Sequence, residues 1–210
     1  MQKPTLSHWN AALKVVKYVK TAPGLGIPMS SDKQAQLTGF CDADWAACPN
    51  TRRSVTGYLL KYGKSLIAWK SKKQNTVSRS SAEAEYRSLA TLTAEVVWVN
   101  NLFKELRMNV HEPAIIHCDN KAAMQIVANP VFHERTKHIE IDCHFIRERL
   151  QQGLIKTSYI NTKEQQADLL TKALGRSQHD FLLAKLGVLN VFNTSSLRGT
   201  IEDSDRSKSS

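Results

Sequence analysis

The chain has 210 residues, enough for one core of about 150 residues with segments left over at each end. Its 29 Lys and Arg outnumber its 19 Asp and Glu, and the pI near 9.5 suits a polyanionic partner, nucleic acid ahead of an anionic membrane surface. No apolar run reaches the roughly 18 residues of a membrane span, the start MQKPTLSHWN lacks a signal-peptide core, and Cys41, Cys48, Cys118 and Cys143 form no C-x-x-C pair. The reading is a soluble intracellular chain with reduced thiols, not a disulfide or zinc scaffold.

Residues 7–20 carry Trp9, Leu13 and Val16 at helical spacing, and the segment stops at the breakers APGLGIP. Between about 36 and 77 the pattern changes to short apolar runs, AQLTGFCD and then SVTGYLLKYGKSLIAWKS, in which KYGK is a tight turn. These read as three consecutive antiparallel strands. Leu89, Leu92, Val96, Val99, Phe103 and Leu106 then recur at helical steps and predict a long core helix. A fourth strand follows at 114–118, then a short helix NKAAMQIVA ended by Asn129-Pro130, then a helix with Ile139, Cys143, Ile146 and Leu150 in register and Gly153 as its stop. LIKTSYI is the fifth strand. The last helices start at Thr162, where T-K-E-Q has the form of a capping box, and at Ser177. From about 193 the composition is polar and serine-rich, which predicts disorder. The divisions are a helix and linker over 1–35, a domain with C-terminal helices over 36–192 and a tail over 193–210. This order implies an α/β fold, a five-stranded mixed sheet flanked by helices, with strands one, four and five parallel.

Four carboxylates occupy settings that suit a two-metal nuclease. Asp42 and Asp119 end apolar strands, while Glu85 and Asp168 sit on helices. Helix geometry separates Glu85 from its neighbour: one turn back along the buried stripe from Leu89 lies Glu85, and Glu83 lies about 200° around the helix from it. Glu83 has a structural role available, since Ser80-x-x-Glu83 is a capping box. Asp44 shares a strand face with Asp42 and reads as a turn residue. Asp119 has an ordinary alternative as the N-cap of NKAAMQ. Asp168 reads as a mid-helix acid with no capping work, and an acid without a structural role points to a site.

The motifs CDADWA, RRSVTGYLLKYGKSLIAWKSKKQNTVSRSSAEAEYRSLA, HCDNKAAMQIVANPVFHERTKHIEIDCHFIRE and YINTKEQQADLLTKAL, taken in this order, resemble the ribonuclease H domain of copia-type retrotransposon Pol polyproteins over about residues 36–175. The preceding SHWNAALKVVKYVKTAPGLGI looks like the segment that joins the reverse transcriptase to that domain. The resemblance implies a ribonuclease H-like fold and two-metal, Mg²⁺-dependent cleavage of the RNA strand of RNA–DNA hybrids, with Mn²⁺ able to substitute. It places the acid set on Asp42, Glu85, Asp119 and Asp168. One departure is that SYINTKEQQAD lacks the histidine that cellular and retroviral members carry before the last acid, and His138 is the candidate helper. Arg53, Lys72, Asn75, Ser78, Arg79 and Asn120 are the remaining candidates for contact with nucleic acid.

The expected partners are an RNA–DNA hybrid and the reverse transcriptase portion of a Pol polyprotein, with no membrane and with weak self-association through the stripe of the first helix. The expected setting is cytoplasmic, in a retroelement particle, and nuclear. The rival readings are a catalytically inactive nucleic-acid-binding fragment of the same fold and a DNA-cutting transposase or integrase.

Overall fold

The computed structural model of the chain describes residues 3–31, 36–108, 113–128 and 139–192. The expected tail at 193–210, the helix stop at Asn129-Pro130 and the candidate helper His138 lie outside these residues. The chain forms two compact units, one over Pro28–Gly187 and one that includes α1 (Leu6–Thr21) and a two-stranded antiparallel ribbon of β1 (Leu25–Gly26) and β7 (Leu189–Asn190). That ribbon has no hydrophobic alternation and was not legible in the pattern.

Helix α1 begins at a reciprocal cap, in which Thr5 and His8 each bond the other's end of the turn. None of its residues is buried, and Trp9 and Val16 are largely exposed.

The larger unit is built on a five-stranded sheet of order β4-β3-β2-β5-β6. Strands β2 (Leu37–Asp44), β3 (Val55–Tyr62) and β4 (Ser65–Lys73) run antiparallel, and Gly63 at φ 56° turns the chain between β3 and β4. Strands β5 (Ala114–Cys118) and β6 (Ile155–Tyr159) join parallel to β2. From β2 the chain leaves toward β3 and from β5 it leaves toward β6, so the carboxyl ends of β2 and β5 border the point where the strand order reverses. In open α/β sheets that crevice is where ligands bind.

Alternation along the strands divides the sheet into two faces. Leu37, Cys41, Tyr58, Leu60 and Ile116 pack with Tyr86, Leu89, Leu92 and Val96 of α2 (Ser81–Glu105), the long helix that the stripe predicted. The stripe ends earlier than expected: Leu106 lies just past the last turn and is exposed. On the same side lie α3 (Lys121–Ala128) and α4 (Glu140–Gln151), whose Cys143 and Ile146 are buried. The opposite face carries Asp42, whose strand partner is Gly57. Here α5 (Asp168–Thr171) lies close against β3, and α6 (Arg176–Leu186) follows it.

Two expectations near the end of the domain need correction. The segment at Thr162 is a single 3₁₀ turn, Thr162–Glu164, capped by the Asn161 side chain on the Lys163 amide at 3.0 Å. Asp168 is the first residue of the four-residue α5, not a mid-helix acid. The apolar residues Ala167, Leu169 and Leu170 imitate a longer helix, but they pack over a chain that has only just turned.

Gly57 is required by packing. A Cβ there would come within 2.6 Å of Thr171 Cγ2, 3.0 Å of Leu170 Cβ and 3.2 Å of the Ala167 carbonyl. Two of those three neighbours are backbone or backbone-fixed, so the conflict cannot be relieved by a side-chain swing. Gly57→Ala should cost about 1–3 kcal/mol in urea unfolding, the usual penalty for overpacking. Unchanged stability would show that α5 does not depend on this close approach.

Candidate active site

Of the carboxylates that the sequence singled out, Glu85 and Asp119 offer oxygens within 4.8 Å of each other, Asp42 and Asp168 share the Lys172 ammonium, and Asp42 is near enough to Glu85 to repel it. Asp42 is 1% exposed, Asp168 4% and Glu85 6%, while Asp119 is half-buried. Glu85 projects from the start of the second turn of α2 across the end of β2, where one oxygen, Oε1, accepts from the Ala43 amide at 3.1 Å. Its other oxygen, Oε2, is buried with no hydrogen-bond partner. That atom lacks the compensation that buried polar groups normally have.

The neighbouring residues free these acids for each other. Ser80 caps α2 through the Glu83 amide at 3.1 Å, and Glu83 accepts from the Arg79 amide at 2.8 Å and from Arg87 at 2.9 Å. Glu83 is therefore the structural acid and Glu85 the one turned toward the strand ends. The Asn120 side chain caps α3 by accepting from the Ala123 amide at 2.9 Å, so Asp119 is released from the capping role that the sequence left open.

Four residues that sequence reasoning passed over hold this corner. Lys172, one turn after Asp168, places its ammonium 2.8 Å from Asp168 Oδ1 and 3.1 Å from Asp42 Oδ1. Thr171 donates its hydroxyl to Asp42 Oδ2. The fully buried Gln165 donates to the Cys41 carbonyl at 2.9 Å, and Ser88 of α2 donates to the Asp42 carbonyl at 2.8 Å. The i, i+4 spacing of Asp168 and Lys172 was a readable signal once a helix starts at Asp168. No local pattern pairs Gln165 or Ser88 with β2, since each bond spans a large part of the fold.

The electrostatics follow from burial and like charge. Burial, then repulsion from Asp42, Cys118 and Asp119, pushes the Glu85 carboxyl up to about 10, against the one favourable bond from Ala43. Asp168 is raised to about 6, chiefly by burial and with a contribution from Asp42, although its bond from Lys172 pulls the other way. Burial disfavours the Lys172 charge, but the hydrogen bond from Lys172 to Asp168 and the attraction of both carboxylates outweigh it and raise its pKa above the ordinary lysine value. The ammonium is acting as a counter-cation between two acids. Among the described residues, Glu85, Cys118 and Asp119 form the group whose ligand atoms lie within 4.8 Å of one another, a fit for a divalent ion.

A basic groove of about 730 Å³ lies along the end of β4, the loop after it, α2 and the start of α4. Lys70, Lys72, Lys73, Asn75 and Thr76 line one side, and Arg87, Asp142 and Phe145 line the other. The loop is fixed from beneath: Gln74 is buried and donates to Thr56 Oγ1 and to the Ala84 carbonyl, both at 3.0 Å, and accepts from Ser78 at 2.9 Å. The Trp45 indole donates to the Ser78 carbonyl at 3.0 Å. Of the surface candidates, Lys72 and Asn75 are exposed and line the groove, and Arg53 and Arg79 are exposed. Ser78 is buried with its hydroxyl on Gln74, and the Asn120 side-chain oxygen caps α3. No described helix is long and apolar enough to cross a membrane.

Comparison with known proteins is consistent across most of the chain. It is 42% identical over 191 residues to the retrovirus-related Pol polyprotein from transposon RE2 of Arabidopsis thaliana, covering 91% of this chain and 13% of that protein. The corresponding polyprotein from transposon TNT 1-94 of Nicotiana tabacum is 31% identical over 188 residues, covering 90% of this chain and 14% of the relative. The chain thus spans about an eighth of the length of these relatives. No family model matches. Among solved structures, LC11-RNase H1 in complex with RNA/DNA hybrid aligns at 13% identity over 65% of this chain and 94% of its own, with a TM-score of 0.47. The N-terminal RNase H domain of Mycobacterium tuberculosis rv2228c aligns at 12% identity over 72% of this chain and 98% of its own, also at 0.47. The fold assignment rests on the observed order and direction of the five strands, three antiparallel and two parallel, which is the ribonuclease H-like arrangement. Sequence similarity to copia-type retrotransposon Pol polyproteins thus runs through nearly the whole chain.

Proposed function

We propose that residues 36–192 are the ribonuclease H of a copia-type Pol and hydrolyse the RNA strand of RNA–DNA hybrids with divalent metal ions during reverse transcription. The observation that carries the proposal is the Glu85 carboxylate, buried beside Asp42 and Asp119 with one oxygen unpartnered. A structural acid would be paired, as Glu83 is. An acid held unpaired among others is arranged for a cation that arrives with function.

Asp42, Glu85, Asp119 and Asp168 are the residues that would hold two Mg²⁺ ions, with Mn²⁺ as a substitute. Such ions supply Lewis acidity toward the phosphate and water that is more readily deprotonated. The protein's part is positional. Ser88 and Gln165 fix the β2 backbone on either side of Asp42, the Ala43 amide orients Glu85, and Gly57 lets α5 bring Asp168 against the strand. Lys172 bridges Asp42 and Asp168, holding together two of the acids that would take a metal ion.

Lys70, Lys72 and Lys73, with Asn75, form the surface that would follow phosphates. Such contacts select duplex shape and the 2′-hydroxyl, not base sequence, and weaken as salt rises. The exposed apolar residues of α1 suit the reverse transcriptase portion of the polyprotein, to which this segment is joined in the family.

The acid variants test the reading. Asp42→Asn, Glu85→Gln and Asp119→Asn should each remove nearly all Mg²⁺-dependent cleavage of a labelled hybrid. Glu83→Gln should keep cleavage and lose roughly 0.5–2 kcal/mol of stability. Hybrid binding without cleavage by the unaltered chain would favour the inactive binding fragment instead.

Stability should depend on pH with an unusual sign. Glu85 and Asp168 have raised pKa values, so the folded protein binds more protons than the unfolded chain and loses stability as pH rises through them. In a chelator the Tm should fall between about pH 5 and about pH 9, and saturating Mg²⁺ should flatten the curve. Glu85→Gln should flatten it without metal. A Tm that climbs over this range in chelator would contradict the charge assignment. Lys172→Met should cost roughly 1–3 kcal/mol in chelator by stranding two acids, with most of the loss recovered in Mg²⁺. A loss that Mg²⁺ does not repair would give Lys172 a purely structural role.

A further inference from the structure

We propose that Cys118 joins Glu85 and Asp119 in a mixed oxygen and sulfur site that takes a thiophilic divalent ion, Zn²⁺ or Cd²⁺, in competition with Mg²⁺. The proposal deepens the metal-dependent reading above and rests on it for the competition. Cys118 is the last residue of β5, on the strand face that packs toward α2, and Asp119 follows it directly. Its sulfur and one oxygen of each acid lie within 4.8 Å of one another.

Two further observations separate this cysteine from a buried apolar filler, the common role of a free thiol. The first is Glu85 Oε2, buried and without a partner, on the residue that shares the cluster with the sulfur. The second is that the Asn120 backbone brackets the Cys118 sulfur, its amide donating to the sulfur at 3.5 Å and its carbonyl accepting from the S–H at 3.9 Å, which fixes the sulfur beside Asp119. The other thiols differ. Cys41 is the hydrogen-bonded neighbour of Cys118 and also directs its S–H to the His117 carbonyl at 3.6 Å, but it stands outside the group of three ligand atoms; Cys143 packs in the core against α2, and Cys48 lies beside Lys73.

Mg²⁺ takes oxygen ligands and is indifferent to a thiol. Zn²⁺ and Cd²⁺ bind thiolates strongly, and three protein ligands with one position open is a usual Zn²⁺ arrangement. On binding, the protons on Cys118 and on Glu85 would pass to solvent as the sulfur and oxygen bonds to the ion form, with no change of oxidation state. The bound ion would occupy the two acids that Mg²⁺ needs, so thiophilic ions would inhibit the nuclease.

The test uses the full-length chain bearing Cys48→Ser, which removes the exposed thiol, with the remaining thiols reduced. Cd²⁺ is titrated without Mg²⁺ while the ultraviolet thiolate-to-cadmium charge-transfer band is recorded. About one equivalent should produce the band, and excess Mg²⁺ should reduce it. Adding Cys41→Ser should leave it in place. Adding Cys118→Ser should weaken Cd²⁺ binding by more than about 100-fold, beyond the loss typical of an outer-shell partner, and abolish the band. Glu85→Gln should weaken the binding while keeping the thiol. Cys118→Ala serves as a second variant, and circular dichroism checks that each is folded. A band that survives removal of Cys118, or is indifferent to Glu85→Gln in folded protein, overturns the proposal. The band with no hybrid cleavage under any metal would leave the mixed site standing and defeat the nuclease reading instead.

Discussion

Like charge held out of water is the constraint on which this structure turns. Asp42, Glu85 and Asp168 are all nearly inaccessible, and Asp119 stands beside them. Acids placed so closely stay folded only by keeping a proton or gaining a cation. The chain uses both remedies, since Glu85 holds its proton far above the ordinary carboxylate range and the Lys172 ammonium sits between Asp42 and Asp168. Both are provisional, because a proton and a swinging side chain can each be displaced by a divalent ion. The rest of the fold makes the strain tolerable: bonds from Ser88 and Gln165 pin the strand that carries Asp42, and the absence of a side chain at Gly57 admits the helix that carries Asp168.

Much of this was legible in the sequence, and the reasons differ by residue. The separation of Glu85 from Glu83 follows from helix periodicity, and the structure shows Glu83 bonded at the helix start while Glu85 reaches Ala43. The strand order was readable because three alternating runs joined by short turns leave few topologies open, and right-handed crossovers limit the rest. Asp119 stayed ambiguous because Asp and Asn are both good caps and stand side by side; the geometry gives the cap to Asn120. Asp168 was set in the wrong part of a helix, since Ala167, Leu169 and Leu170 around it do not reveal where a four-residue helix begins. Lys172 was overlooked for the same reason. Gln165, Ser88 and the β1–β7 ribbon depend on contacts between distant parts of the chain, which no local pattern encodes.

The same corner connects the buried chemistry to the surface. Gln74 ties the loop after β4 to the start of α2, so the strand that presents Lys70, Lys72 and Lys73 and the helix that presents Glu85 share one rigid joint. A backbone tracked by those lysines would be held in a constant relation to the acids, which is what in-line chemistry at a phosphodiester requires. Ser78, attractive in sequence as a polar residue near basic ones, serves that joint from inside. Exposure and availability are separate properties, and only the structure distinguishes them.

The central claim is that the carboxylate cluster is a divalent-ion site temporarily neutralised by Lys172 and a proton on Glu85. Anomalous scattering from crystals of the protein soaked in Mn²⁺ tests it most directly. The account expects Mn²⁺ peaks at the carboxylates of Asp42, Glu85, Asp119 and Asp168, with the Lys172 ammonium moved away from Asp42. Crystals with no Mn²⁺ peak at these acids and the Lys172 ammonium still bridging Asp42 and Asp168 would contradict it.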